Sequence, residues 1–232
     1  VSETVHGEAH RQITTGWFRA GVFGASDGLV TNISLILGFA GANPGHSVVR
    51  LAGLAGLVAG GFSMASGEWV SVRAQKESFE YEIDVERRSL EASPAEERDE
   101  LQALFESRGI DTELADRLAT DLMRDPDLAL RTHAREELGV DPSATGSPWA
   151  AAISSFLAFS LGAFIPLLPW LVTSGGNDAL WSIALGAVAS LVFGGVIGWF
   201  IRRGTWRWAL RQLMVTALAA GVTFAVGRLV GS

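Results

Sequence analysis

The chain of 232 residues contains no cysteine, which excludes disulfides, zinc–thiolate sites and a cysteine nucleophile. Charge is scarce as well: 19% of residues are Asp, Glu, Lys or Arg, against about 25% in an ordinary soluble domain. The first twelve residues lack the basic start and short apolar core of a cleavable signal peptide, so the first apolar run is expected to be a retained helix. No Walker A or dinucleotide-binding glycine pattern occurs. The four histidines, at 6, 10, 46 and 133, form no zinc-protease spacing. Ser63 and Ser66 have no companion base, so an enzyme is not expected and no organic cofactor is implied. The formal net charge of −7 and the scattered arginines argue against nucleic acid as a partner.

What is present is apolar: 48% of residues are hydrophobic and the mean hydropathy is +0.28. Charge is segregated. Residues 75–148 hold 20 acidic and 9 basic side chains, a net of −11, while the rest holds 5 and 9, a net of +4. A helix needs about 20 mostly apolar residues to cross a bilayer, and five stretches qualify. They run from Ile13 to Ala42, from Val48 into Val72, from Trp149 to Val172, from Ala179 to Ile201 and from Trp206 to Val230. All eight tryptophans (17, 69, 149, 170, 181, 199, 206, 208) fall near the ends of these spans, the interfacial position that tryptophan favours. The expected fold is an all-α membrane protein with five spans and a soluble acidic helical insert between the second and third. The expected organisation is 1–12 as an N-terminal segment, 13–74 as spans one and two, 75–148 as the insert, and 149–232 as spans three to five.

The Lys/Arg bias orients the spans. Arg11, Arg19, Arg73, Lys76, Arg202, Arg203, Arg207 and Arg211 fall on one side, which is expected to be cytoplasmic together with the insert. Short loops suggest a prokaryotic plasma membrane. Within the insert, residues 75–90 read as a continuation of span two. Ser93-Pro94-Ala95-Glu96 is a helix start with Ser as N-cap. Gly109 ends that helix, Asp111 caps another carrying Leu114, Leu118 and Leu122 on one stripe, and Asp125-Pro126 opens a fourth that stops at Leu138-Gly139. Residues 142–148 read as a linker. Pro166 and Pro169 are expected to bend span three, and Gly56-xxx-Gly60 fits close helix approach.

Asp27 stands in mid-span, where an ionisable side chain is costly and commonly faces a bundle interior or an aqueous cavity. It reads as a cation or proton site, or as a structural Asp bonded to a neighbouring helix. Met64 and Glu68 share one face of span two at i, i+4. Carboxylate oxygens with a soft thioether suit a first-row divalent metal better than Ca²⁺ or Mg²⁺. In the insert, Glu82 and Glu86 lie one turn apart, Glu97 and Glu100 are at i, i+3, and Glu136 and Glu137 follow His133 by three and four. Such an excess of negative charge repels itself unless cations neutralise it, although a plain solvated acidic face is the other reading.

Four segments resemble the vacuolar iron transporter family: residues 23–32 (FGASDGLVTN), 60–72 (GGFSMASGEWVSV), 133–139 (HAREELG) and 159–169 (FSLGAFIPLLP). The resemblance implies homodimers of five-span protomers that move Fe²⁺, and often Mn²⁺, out of the cytosol in exchange for protons. It implies Asp27 and Met64 as a membrane metal site, and Glu86, Glu97, Glu100 and Glu137 as ligands in the insert. His133 stands where a plant member has Met, Ser89 where that pattern has Glu, and Gly56 where it has an in-membrane Glu. The expected ligand set is therefore Asp27, Met64, Glu68, Glu82, Glu86, Glu97, Glu100, His133 and Glu137. The alternative function is a membrane-anchored metal buffer or sensor without transport.

Overall fold

The structure, a computed structural model, describes residues 16–137, 139, 146–173 and 176–231. The N-terminal segment, the Trp17 and Arg19 side chains, Leu138 and most of the 142–148 linker lie outside these residues. The described chain is helical: α1 (Gly16–Gly41), α2 (His46–Ala92), α3 (Pro94–Ser107), α4 (Thr112–Leu122), α5 (Pro126–Glu136), α6 (Pro148–Val172), α7 (Asp178–Phe200) and α8 (Thr205–Val230). It divides into two compact units. One comprises the described residues up to Trp69 together with Pro148 onward, and the other is Val70–Ser147.

Five helices (α1, α2, α6, α7 and α8) are long and apolar enough to cross a membrane. At 1.5 Å per residue, the 47 residues of α2 extend about 70 Å, more than twice the roughly 30 Å of a hydrocarbon core. Its apolar first part, uncharged from Leu51 to Gly67, suffices to cross. Beyond Arg73 the helix is charged, with Lys76, Glu77, Glu80, Glu82, Asp84, Glu86, Arg87 and Arg88.

Within the first unit α1 lies between α6 and α8, and glycine makes that placement possible. A methyl group at Gly28 would overlap the Phe159 carbonyl, and one at Gly162 would overlap the Ala25 carbonyl, so α1 and α6 touch backbone to backbone. Gly227 does the same for α8 against Gly38. Lipid offers no hydrophobic drive between spans, so such close packing and interhelical hydrogen bonds hold them together. The bonds are present. Ser182 donates to the Pro166 carbonyl at 2.6 Å and receives the Trp170 indole N–H at 3.0 Å. Ser190 donates to Thr216 at 2.9 Å, and Gln212 donates to Ser26 at 2.6 Å. Helix α6 continues unbroken through Pro166 and Pro169, both buried. Adding a side chain at the α1–α6 crossing is overpacking, which costs about 1–3 kcal/mol. Gly162→Ala is expected to lower the thermal midpoint of the detergent-solubilised protein, and an unchanged midpoint would contradict this packing.

The second unit departs from the sequence reading in two places. Ser93 occupies the N-cap position of α3, but its side chain makes no capping hydrogen bond; Pro94 and the first-turn acids Glu96 and Glu97 mark the start instead. On α4 the buried residues are Ala115 and Ala119, while Leu114 and Leu118 are exposed. The leucine stripe has the right period, yet the closely packed face is the small one. Asp111 and Asp125 cap as expected, the first accepting from the Glu113 N–H and the second from the Asp127 and Leu128 N–H groups. Past Arg108, Gly109 takes a left-handed φ of 89°, which only glycine adopts freely.

Candidate metal centre

Three helices of the insert bring carboxylates to one histidine. His133, on α5, is fully buried. Its Nδ1 lies 2.8 Å from Glu137 Oε1, 3.1 Å from Glu86 Oε1 on α2 and 3.8 Å from Glu97 Oε2 on α3. One ring nitrogen can donate one proton, and the bond goes to Glu137. Glu86 Oε1 is left buried with no hydrogen bond, as is His133 Nε2. A buried carboxylate oxygen without a donor is costly, and a metal ion is one chemical species that would satisfy it. Ligand atoms of Glu86, His133 and Glu137 all lie within 4.8 Å of one another, close enough to share an ion.

Eight basic residues of this unit pair elsewhere: Arg73 with Glu77, Lys76 with Glu80, Arg87 and Arg88 with Asp84, Arg98 with Asp99 and Asp116, Arg108 with Glu136, Arg117 with Glu113 and Arg124 with Asp121. None of these pairs involves Glu86, Glu97, Glu100 or Glu137. Burial, above all, pushes the Glu86 carboxyl above its ordinary value of 4.5; Glu137 adds to the rise, His133 opposes it, and Glu97 and Glu100 add further. Glu97 is also raised, first by burial and then by Glu100, Glu137 and Glu96, again against His133.

These shifts fix the sign of a pH dependence. Folded, metal-free Glu86 and Glu97 hold protons more tightly than they do unfolded. Their contribution to stability is therefore full below 4.5 and is lost as pH rises through the folded values. A metal must displace those protons. Mn²⁺ affinity is expected to climb with pH above 4.5, with proton release on binding. Calorimetry in two buffers of different ionisation enthalpy, run at mildly acidic pH where part of these carboxyls is still protonated, measures that release, and none there would contradict the assignment.

The remaining expected ligands are placed differently. Glu82 is exposed and Ser89 half-buried, and neither joins the cluster by a hydrogen bond or ion pair among the described residues. Glu100 is exposed but near enough to influence both shifted carboxyls. In the other unit Asp27 is exposed on α1, while Met64 and Glu68 are half-buried on α2. Among the described residues no hydrogen bond or ion pair engages Asp27 or Glu68. Gly56 faces α1: a Cβ there would stand 2.8 Å from Asn32 Oδ1, a buried oxygen with no hydrogen-bond partner. The Asn32 amide donates to the Ala163 carbonyl at 2.6 Å.

Sequence reasoning missed one polar group. Asp178 falls just outside the expected span from Ala179 to Ile201, but it opens α7 and is 4% exposed. It accepts a hydrogen bond from Thr173 and lies 3.4 Å from His46 Nε2. Its place at the edge of an apolar run, with a histidine far off in sequence, gave no local signal.

A family model described as the VIT family matches residues 18–228. The chain belongs to the VIT family. It is 36% identical over 228 residues to a protein of Acanthamoeba castellanii named vacuolar iron transporter, covering 96% of this chain and 83% of that protein. Vacuolar iron transporter 1 of Arabidopsis thaliana is 28% identical over 210 residues, covering 90% of this chain and 84% of its own length. Vacuolar iron transporter homolog 2 of Oryza sativa is 36% identical over 223 residues, covering 92% and 90%. These matches include the segments that carried the resemblance, and they span both units of this VIT-family chain.

Proposed function

We propose that this VIT-family chain is a transporter of Fe²⁺, and of Mn²⁺, which moves metal out of the cytosol in exchange for protons and works as a homodimer. The observation that carries the reading is the convergence of Glu86, Glu97 and Glu137 on His133, with Glu100 near by, in a chain whose relatives are named vacuolar iron transporters. Mixed oxygen and imidazole donors suit first-row divalent ions. The insert, on the cytoplasmic side by the Lys/Arg bias, gathers the ion. Asp27, Met64 and Glu68 from two protomers then pass it across. The exposure of Asp27 supports the dimer, since a charged side chain at mid-membrane costs about 2.5–3.5 kcal/mol if lipid surrounds it, and a second protomer would shield it. Carboxylate ligands suit proton exchange, because protonation releases the metal and deprotonation rebinds it. The short connections between spans fit a prokaryotic plasma membrane. The reading is tested by adding Fe²⁺ to proteoliposomes loaded with a pH-sensitive dye. Proton efflux accompanying metal entry is expected. Metal bound to the outside with no entry and no proton movement would favour a membrane-anchored buffer or sensor.

A further inference from the structure

A second charged site lies in the first unit, at the turn joining α7 to α8. Gly194 and Gly198 let α8 approach closely: a methyl group on either would crowd the backbone of Trp208, Ala209 or Thr205. The chain then reverses in four residues. Arg202 takes a left-handed φ of 53° and Gly204 one of 44°, and the Arg203 N–H returns to the Gly198 carbonyl at 3.1 Å. The result is an open concavity of about 560 Å³ lined by Ile201, Arg203, Gly204, Arg207 and Trp208. Arg211 lies over the Trp208 ring at 5.0 Å from its centre, on the α8 face that carries Arg207 one turn earlier.

Arg202, Arg203, Arg207 and Arg211 are all exposed, and no ion pair neutralises them among the described residues. The acids described in this unit are Asp27, Glu68 and Asp178, and the last is engaged by Thr173 and His46. The α8 N-terminus adds its partial positive charge to the same spot, with Gly204 supplying no capping side chain. Arginine forks match the paired oxygens of a phosphate. The flanking indoles favour a phosphate at the membrane surface. Trp199 and Trp206 are 62% and 67% exposed at the ends of two membrane-length apolar helices, where tryptophan sits at headgroup level.

We propose that this turn binds the phosphate of an anionic phospholipid headgroup, gripped by Arg203 and Arg207 with Trp208 as the floor. The proposal needs only the membrane embedding of α7 and α8, so it stands or falls apart from metal transport. Native mass spectrometry of the full chain in detergent, titrated with phosphatidylglycerol, phosphatidylcholine or inorganic phosphate, tests it. The wild type is expected to bind one phosphatidylglycerol with about tenfold preference over phosphatidylcholine, as basic juxtamembrane pockets do for acidic lipids. Arg203→Gln/Arg207→Gln should abolish the preference, and Arg50→Gln/Arg228→Gln, an equal loss of charge elsewhere, should retain it. If the double variant does not fold, Arg203→Gln alone carries the test, with a drop of about threefold expected from losing one fork. Equal binding of the two lipids, an unchanged variant, or an equal loss in the control pair would overturn the proposal. So would inorganic phosphate filling the site without lipid preference, since that outcome assigns it to a soluble anion.

Discussion

Replacing Glu86 and Glu137 together with glutamine should weaken Mn²⁺ or Fe²⁺ binding to the full chain by about 100-fold, equivalent to ~2.7 kcal/mol. Both side chains present an oxygen to His133 Nδ1, at 3.1 and 2.8 Å, and their loss leaves one imidazole with Glu97 and the exposed Glu100, a weaker and more open ligand set. The same change should act in the opposite direction without metal. Glu86 is pushed above 4.5 by burial and by its acidic neighbours, so neutralising it relieves repulsion in the empty site. The metal-free double variant is expected to melt higher than the wild type at neutral pH, yet to gain less on adding Mn²⁺. Ligand that binds only the folded state stabilises in proportion to its affinity, so thermal melts with and without metal read both effects. A variant that melts lower in both conditions would show that the cluster is a structural hydrogen-bond group rather than a cation site.

Asp27→Asn separates the insert from the spans. Transport into proteoliposomes should fall about tenfold or more, because an amide cannot carry the charge that offsets a dication. Mn²⁺ binding to the full chain should stay close to wild type, since Glu86, Glu97, Glu100, His133 and Glu137 all belong to the other unit. Asparagine keeps the size of the side chain, and Asp27 is exposed on α1, so folding is expected to survive. Flux at the wild-type rate would remove Asp27 from the proposed path. Loss of binding together with flux would point instead to a folding defect.

The sequence made the spans legible because crossing a bilayer demands length and apolarity, and little else in a chain imitates that. The continuity of α2 was legible too: nothing between Val48 and Leu90 breaks a helix. Capping chemistry at Asp111 and Asp125 could be read locally because the bonds span two or three residues. What escaped the sequence depends on contacts far apart in the chain. Ser93 carries a good capping side chain that goes unused, and Ala115 and Ala119 outcompete larger leucines for a tight interface. Asp178 meets His46 across 132 positions. The convergence of Glu86, Glu97 and Glu137 on His133 is of the same kind. Spacing alone offered many acidic pairs of equal merit, and the resemblance, not the period, singled out these. Glu82 shows the limit: it stands one turn from Glu86 on the same helix, yet remains apart from the cluster.

The central claim is that the insert holds a transition metal through its carboxylates and one imidazole. Pulsed electron paramagnetic resonance of the full chain loaded with one equivalent of Mn²⁺ addresses it most directly. The account predicts modulation from one directly bound ¹⁴N, lost in His133→Ala and retained in Asp27→Asn. A Mn²⁺ signal with no nitrogen coupling, or one unaffected by His133→Ala, would contradict it.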